Sequence, residues 1–133
     1  MQQATRSEWS KETPREDAME SGGNMLLDVR QQGPAVVASL VGAVGMTEAT
    51  LLGQKLDDLL QKPGAVVVLD IEHLDFICSS GLGALIQAQA KARQYESKMR
   101  LAGPRPMVMR LLETTRLTNL FPVFGSVSEA IEG

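Results

Sequence analysis

Ser79 and Ser80 stand side by side ahead of Gly81-Leu82-Gly83, shortly after the run Val66-Val67-Val68-Leu69-Asp70. A serine between an apolar strand and an apolar-periodic helix can do two kinds of chemistry. Its hydroxyl can cap the helix by accepting from the N–H groups of the first turn. It can also take a phosphate, which the unpaired N–H groups and the positive end of the helix dipole would receive. Capping needs one serine, so the second leaves a hydroxyl available. Cys78 precedes them, and a catalytic thiol there would need a base nearby. The only histidine, His73, lies on the other side of Asp75, Phe76 and Ile77, and a lone cysteine after Phe-Ile reads as a small buried apolar residue. Asp70, Glu72 and Asp75 read as solvated carboxylates at a strand end, too few for a hard-cation site. Ile86 stands where a third glycine of a dinucleotide-binding loop would be, and no glycine-rich stretch ends in Gly-Lys-Ser or Gly-Lys-Thr. The expectation is no catalytic residue, no metal and no cofactor: a protein acted upon rather than an enzyme.

The elements that must position these serines follow from the apolar pattern. Met25 to Val29 and Ala35 to Val44 read as strands joined by the turn chemistry of Gln32-Gly33-Pro34, an opening hairpin. Thr47 is the expected cap of a first helix, with Met46 and Leu51 as a hydrophobic staple. In that helix Leu52, Leu56, Leu59 and Leu60 share one face, and Lys62-Pro63-Gly64 stops it. Ala65 to Asp70 is an uninterrupted apolar strand, as expected for one covered on both faces. A second helix is expected from about Ser80 to Glu96, with Leu82, Leu85, Ile86 and either Gln89 or Ala90 inward. Gly81 should permit a close approach and Gly83 tight helix–sheet packing. Met99 to Ala102 reads as a further strand, and Pro106 opens a third helix through Met107, Val108, Leu111 and Leu112. Val123-Phe124 could be an edge strand. Ser126-Val127-Ser128-Glu129 has the spacing of a capping box before a final helix. The layout is α/β: a mixed sheet of four or five strands with an opening hairpin, packed against about four helices with right-handed crossovers.

The 133 residues suit one domain, and 44% apolar with 22% charged residues is the balance of a soluble globular protein. A net charge of −3 argues against nucleic acid as a partner. No apolar stretch reaches the ~20 residues of a membrane span. Residues 1–20 have no apolar core of a secretory signal, and one cysteine excludes an internal disulfide, so a cytoplasmic protein is expected. Residues 1–24 are polar, with Trp9 their only large apolar group. They read as a mobile tail, with docking through Trp9 as the alternative, and 25–133 as the folded domain.

The stretch Val-Val-Val-Leu-Asp-Ile-Glu-His-Leu-Asp-Phe-Ile-Cys-Ser-Ser-Gly-Leu-Gly-Ala-Leu, Val66 to Leu85, closely resembles the signature of the STAS domain. In particular it resembles the bacterial anti-sigma factor antagonists, where a strand ending in Leu-Asp leads to Asp-Ser-Ser-Gly or Asp-Ser-Thr-Gly and a helix. The resemblance extends over about 25–133, through the opening hairpin, Met99 to Ala102, the helix after Pro106 and the Leu117 to Phe121 stretch. It implies the STAS fold, with Ser79 as phosphoacceptor and Ser80 as runner-up. The partner-binding loop would be Phe76, Ile77, Cys78, Ser79, Ser80, Gly81, Leu82 and Gly83. It further implies a serine kinase that is itself an anti-sigma factor, bound by the unphosphorylated domain so that a sigma factor is freed. A serine phosphatase would reset the cycle, and the domain would be a monomer or weak dimer. Cys78 stands where many members have aspartate. Gly42-Ala43-Val44-Gly45 likewise stands where many have Gly-Glu-Leu-Asp. The alternative implied by these differences is a STAS scaffold that is not phosphorylated, a subunit of a signalling or transport assembly.

Overall fold

A computed structural model describes residues 24–133. Residues 1–23 of the expected tail, with Trp9, lie outside the described residues, while Asn24, its last residue, belongs to the first strand. The strands are β1 (Asn24–Gln32), β2 (Ala35–Val44), β3 (Val66–Asp70), β4 (Leu74–Ile77), β5 (Lys98–Ala102) and β6 (Val123–Phe124). The helices are α1 (Met46–Leu60), α2 (Ser79–Tyr95), α3 (Pro106–Thr114) and α4 (Val127–Glu132), with a 3-10 turn at Leu117–Asn119. The strands form one mixed sheet in the order β1-β2-β3-β5-β6, with β4 paired to β2 off that path. The β1–β2 hairpin is antiparallel and every other pair is parallel.

The sheet has six strands, one more than the upper expectation. The reason lies in the length of β2. Its first half, Val36 to Ser39, pairs with Val67 to Asp70, where β3 ends. Its second half still has backbone groups that need partners. The chain turns out at Asp70, whose Oδ1 accepts from the Glu72 N–H at 3.1 Å, and returns as β4 beside Gly42 to Val44. A register shift between Gly42 and Ala43 accommodates the return. Gly42 has φ of +99° there, a conformation that requires glycine.

Neighbouring residues along each strand point to opposite faces. Ala38, Leu40, Val67, Leu69, Met99 and Leu101 join the larger core, which α1, α2 and α3 cover. Val37, Val68 and Ala102 point the other way into a small cluster closed by Ala130 of α4. Leu52, Leu56 and Leu60 of α1 are fully buried, each contributing about 1.5–3 kcal/mol by burial. Leu59 is half-buried against them. No helix among the described residues is long and apolar enough to cross a membrane.

Several local expectations are corrected. The cap of α1 is Gly45, not Thr47; its N–H donates to Glu48 Oε1 at 3.2 Å. Met46 and Leu51 are both exposed, so they form no staple. On α2 the inward positions are Gly81, Leu82, Leu85, Ala88 and Ala92. Ile86 and Ala90 face outward, while the half-buried Gln89 donates to the Leu120 carbonyl at 2.8 Å. The cap of α4 is Ser126, as its spacing predicts, with the Glu129 N–H donating to Oγ at 3.2 Å. The Glu129 carboxylate reaches back one residue further than expected, to the Gly125 N–H.

α1 and α2 are also tied by a polar contact, in which the Tyr95 hydroxyl donates to Asp57 Oδ1 at 2.8 Å. Tyr95, then Gln61 and Lys91, hold the Asp57 carboxyl below its ordinary value of 3.8. A carboxylate whose folded-state pKa is lowered stabilises the fold above its unfolded value, and loses that effect as pH falls through the folded one. Tyr95→Phe should lower the urea midpoint near pH 7, and the gap to the parent should narrow below 3.8. Urea titrations across the acid range check this; a constant gap would assign the loss to packing instead. Gly81→Ala should be destabilising at any pH. A Cβ there would sit 2.6 Å from Ile77 Cγ1 and 2.9 Å from Val44 Cγ1. The overpacking cost is about 1–3 kcal/mol, read as a lower urea midpoint at unchanged slope.

Candidate functional site

The site grows from the ends of two parallel strands. β2 ends at Val44 and β4 ends at Ile77, paired with each other. The Cys78 N–H donates to the Val44 carbonyl at 2.9 Å, so the two chains leave the sheet together. Gly45 opens α1 and Cys78 opens α2, both as extended N-cap residues. The two helix N-termini are therefore neighbours at one end of the sheet, and their positive dipole ends lie close together.

Cys78 makes no side-chain cap to the first turn of α2. The first main-chain bond of the helix runs from the Leu82 N–H to the Cys78 carbonyl at 3.0 Å. Ser79 and Ser80 are the first and second helical residues, and both are exposed. The capping role expected of one serine is thus not taken by either; the N-cap residue is the cysteine. The two hydroxyl-bearing residues also differ. Ser80 lines a groove of about 690 Å³ between α1 and α2, together with Met46, Thr50, Gly53 and Lys91, whereas Ser79 lies outside that groove.

The rest of the loop divides by burial. Ile77, Gly81 and Leu82 are buried, Cys78 and Gly83 are half-buried, and Phe76 is 52% exposed. Gly81 is needed for the close approach of Ile77 and Val44, but the space around Gly83 is open, so tight packing does not explain that glycine. On the other side of β4, Phe76 and Ile77 face Met107, Val108 and Leu111 of α3 across an apolar cleft of about 340 Å³. Asp75 forms an ion pair with Arg105 at its edge. Sequence reasoning missed this cleft, although the apolar residues at 76 and 77 were its visible signal.

The other candidates dissolve. His73 precedes β4 and Cys78 follows it, five residues apart along an extended segment, or about 16 Å. They form no dyad. The His73 imidazole is exposed beside Glu72, and its carbonyl accepts from the Gly42 N–H. Asp70 accepts from Ser39 Oγ at 3.1 Å, and Ser39 Oγ accepts in turn from Arg30. With Asp75 paired to Arg105, these carboxylates serve the architecture. No group of three or more metal-binding side chains occurs among the described residues.

Comparison with known proteins places this geometry. The family model of the STAS domain matches residues 27–130. A Bordetella bronchiseptica protein named as an anti-sigma factor antagonist, BtrV, is 31% identical over 91 residues, covering 68% of this chain and 78% of its own. The crystal structure of an anti-sigma factor antagonist from Mycobacterium paratuberculosis superposes with a TM-score of 0.74 at 21% identity, covering 82% of this chain and 92% of that one. The phosphorylated form of SpoIIAA, a Bacillus cell fate determinant, superposes with a TM-score of 0.62 at 18% identity, over 80% of this chain and 96% of its own. With the matched region running from within β1 to within α4, around a β4–α2 junction built as described, the chain belongs to the STAS domain family.

Proposed function

We propose that this domain is an anti-sigma factor antagonist switched by phosphorylation of Ser79. Unphosphorylated, it binds an anti-sigma factor that is itself a serine kinase, and the sigma factor is released. Phosphorylated, it lets the kinase go, and a serine phosphatase restores it. The observation that carries this reading is the position of Ser79: exposed, first in α2, and unused as a cap. The names of the relatives point the same way, as does a structural neighbour solved in a phosphorylated form. The domain itself catalyses nothing in this scheme, and it works in the cytoplasm as a monomer or weak dimer.

The physics of the switch is local. A phosphate brings about −1.5 to −2 charges and three acceptor oxygens. The N–H groups of the first turn of α2 have no helical partner of their own, and the dipole end favours the added charge. Cys78 and Gly45, the residues at the two N-caps, put no carboxylate in competition for those groups. The phosphate then changes the charge and bulk of the contact surface without any rearrangement of the fold. The same two residues support a second reading, a scaffold domain without phosphorylation, since carboxylates that could orient the serine for a kinase are missing.

Two experiments test this account. Mass spectrometry of protein from its native cells, under phosphatase inhibition, should find one phosphate on Ser79 that Ser79→Ala abolishes. Phosphate on Ser80 alone, or none in any growth or stress condition, would sink the Ser79 switch and leave the scaffold reading. Cys78→Asp should supply the missing cap and stabilise the unmodified domain by about 1 kcal/mol, measured by thermal denaturation. An unchanged or lower midpoint would mean that the first turn has no unmet donors.

A further inference from the structure

The apolar cleft between β4 and α3 has no role in the phosphoacceptor chemistry. Phe76 at its mouth is 52% exposed and Met107 is 71% exposed, so two large apolar side chains stand in water beside one another's wall. The described part of the chain offers nothing that covers them.

The strand register indicates what could. Asn24 pairs with Ala43, and Ala43 pairs with Phe76, so the three lie in one row across β1, β2 and β4. Two strand spacings put Asn24 about 10 Å from Phe76. Residues 1–23 therefore join the domain close to the cleft, at the end of the sheet that carries Cys78 and Ser79. Trp9 is the only aromatic residue among them and lies fifteen residues before Asn24. Fifteen residues span about 20 Å at random-coil dimensions, more than the separation of Asn24 from Phe76. Charge agrees with this. Residues 1–23 hold five acidic against three basic side chains, whereas residues 105–116 hold Arg105, Arg110 and Arg116 against Glu113. Arg110 lines the cleft itself, as does Asp75, which is paired with Arg105 and so leaves Arg110 as the unmatched charge of the lining.

We propose that Trp9 seats in the cleft between β4 and α3, so that the chain's own N-terminal segment covers Phe76 and Met107. A tethered side chain meets its site at an effective concentration in the millimolar range, about what a short flexible linker gives. A second copy supplying the same indole from solution has no such advantage. The inference does not depend on partner switching, because no partner enters it.

Trp9 is the only tryptophan in the chain, so its fluorescence reports its own surroundings. In the full-length protein the emission should be shifted to the blue of the urea-unfolded chain, and acrylamide quenching should be weak. Met107→Glu changes an exposed side chain and should leave the circular dichroism intact. It should move the emission toward that of the unfolded chain and raise quenching severalfold. Leu51→Glu, a change at another exposed apolar side chain, on α1 outside the cleft, should do neither. Emission like that of the unfolded chain overturns the proposal, as does a blue-shifted emission that Met107→Glu leaves in place. A blue shift that disappears on dilution also overturns it, since the indole would then sit in a second copy.

Discussion

Everything at the functional end of this domain depends on β2 having two partners in succession. Its ten residues are too many for β3, and the unpaired remainder draws the chain back as β4. The pairing of Val44 with Ile77, and the bond from the Cys78 N–H to the Val44 carbonyl, then fix where α2 begins. Were β2 four residues shorter, the serines would lie on an unsupported loop. Backbone hydrogen bonding, which carries no side-chain information, is what aims Ser79 outward.

That dependence also explains what the sequence could and could not reveal. The hairpin, α1, β3, α2, β5, α3, β6 and α4 are written in apolar spacing and turn residues, and each lies close to its expected place. The core positions on α1 follow directly from leucines at helical intervals. By contrast β4 is four residues long and carries the adjacent Asp75 and Phe76 both exposed, a pattern too brief and without the strict alternation that declares a strand. Its existence is decided by an unfilled partner thirty residues earlier, a non-local fact. The caps were misplaced for a related reason. Thr47 and the serines have the better capping chemistry, yet the ends of β2 and β4 dictate where the helices start, and Gly45 and Cys78 are the residues standing there. Tertiary geometry overrode local preference.

The site itself was legible as a motif but not as a surface. Ser79-Ser80-Gly81 between strand and helix was readable because hydroxyls and a glycine in that setting have few other uses. The separation of roles between the two serines needed the fold, since only α1 tells Ser80 from Ser79 by giving Ser80 a groove to line. The cleft beside Phe76 needed α3 as well, an element that is thirty residues away in sequence and held near by Val108 and Leu112 in the core, with Arg105 and Asp75 paired at its edge.

The packing of Gly81 has a consequence for motion. Ile77 and Val44 fill the space a Cβ would need there, so the third residue of α2 sits close against the sheet. The two residues ahead of it are exposed and have no side-chain cap to hold them. Local opening of such a turn costs far less than global unfolding. Unwinding of Ser79 and Ser80 alone would leave the packing at Gly81 in place. The first turn can thus open as a short strip of backbone while the body of the domain stays folded, and closing that strip restores the same surface each time.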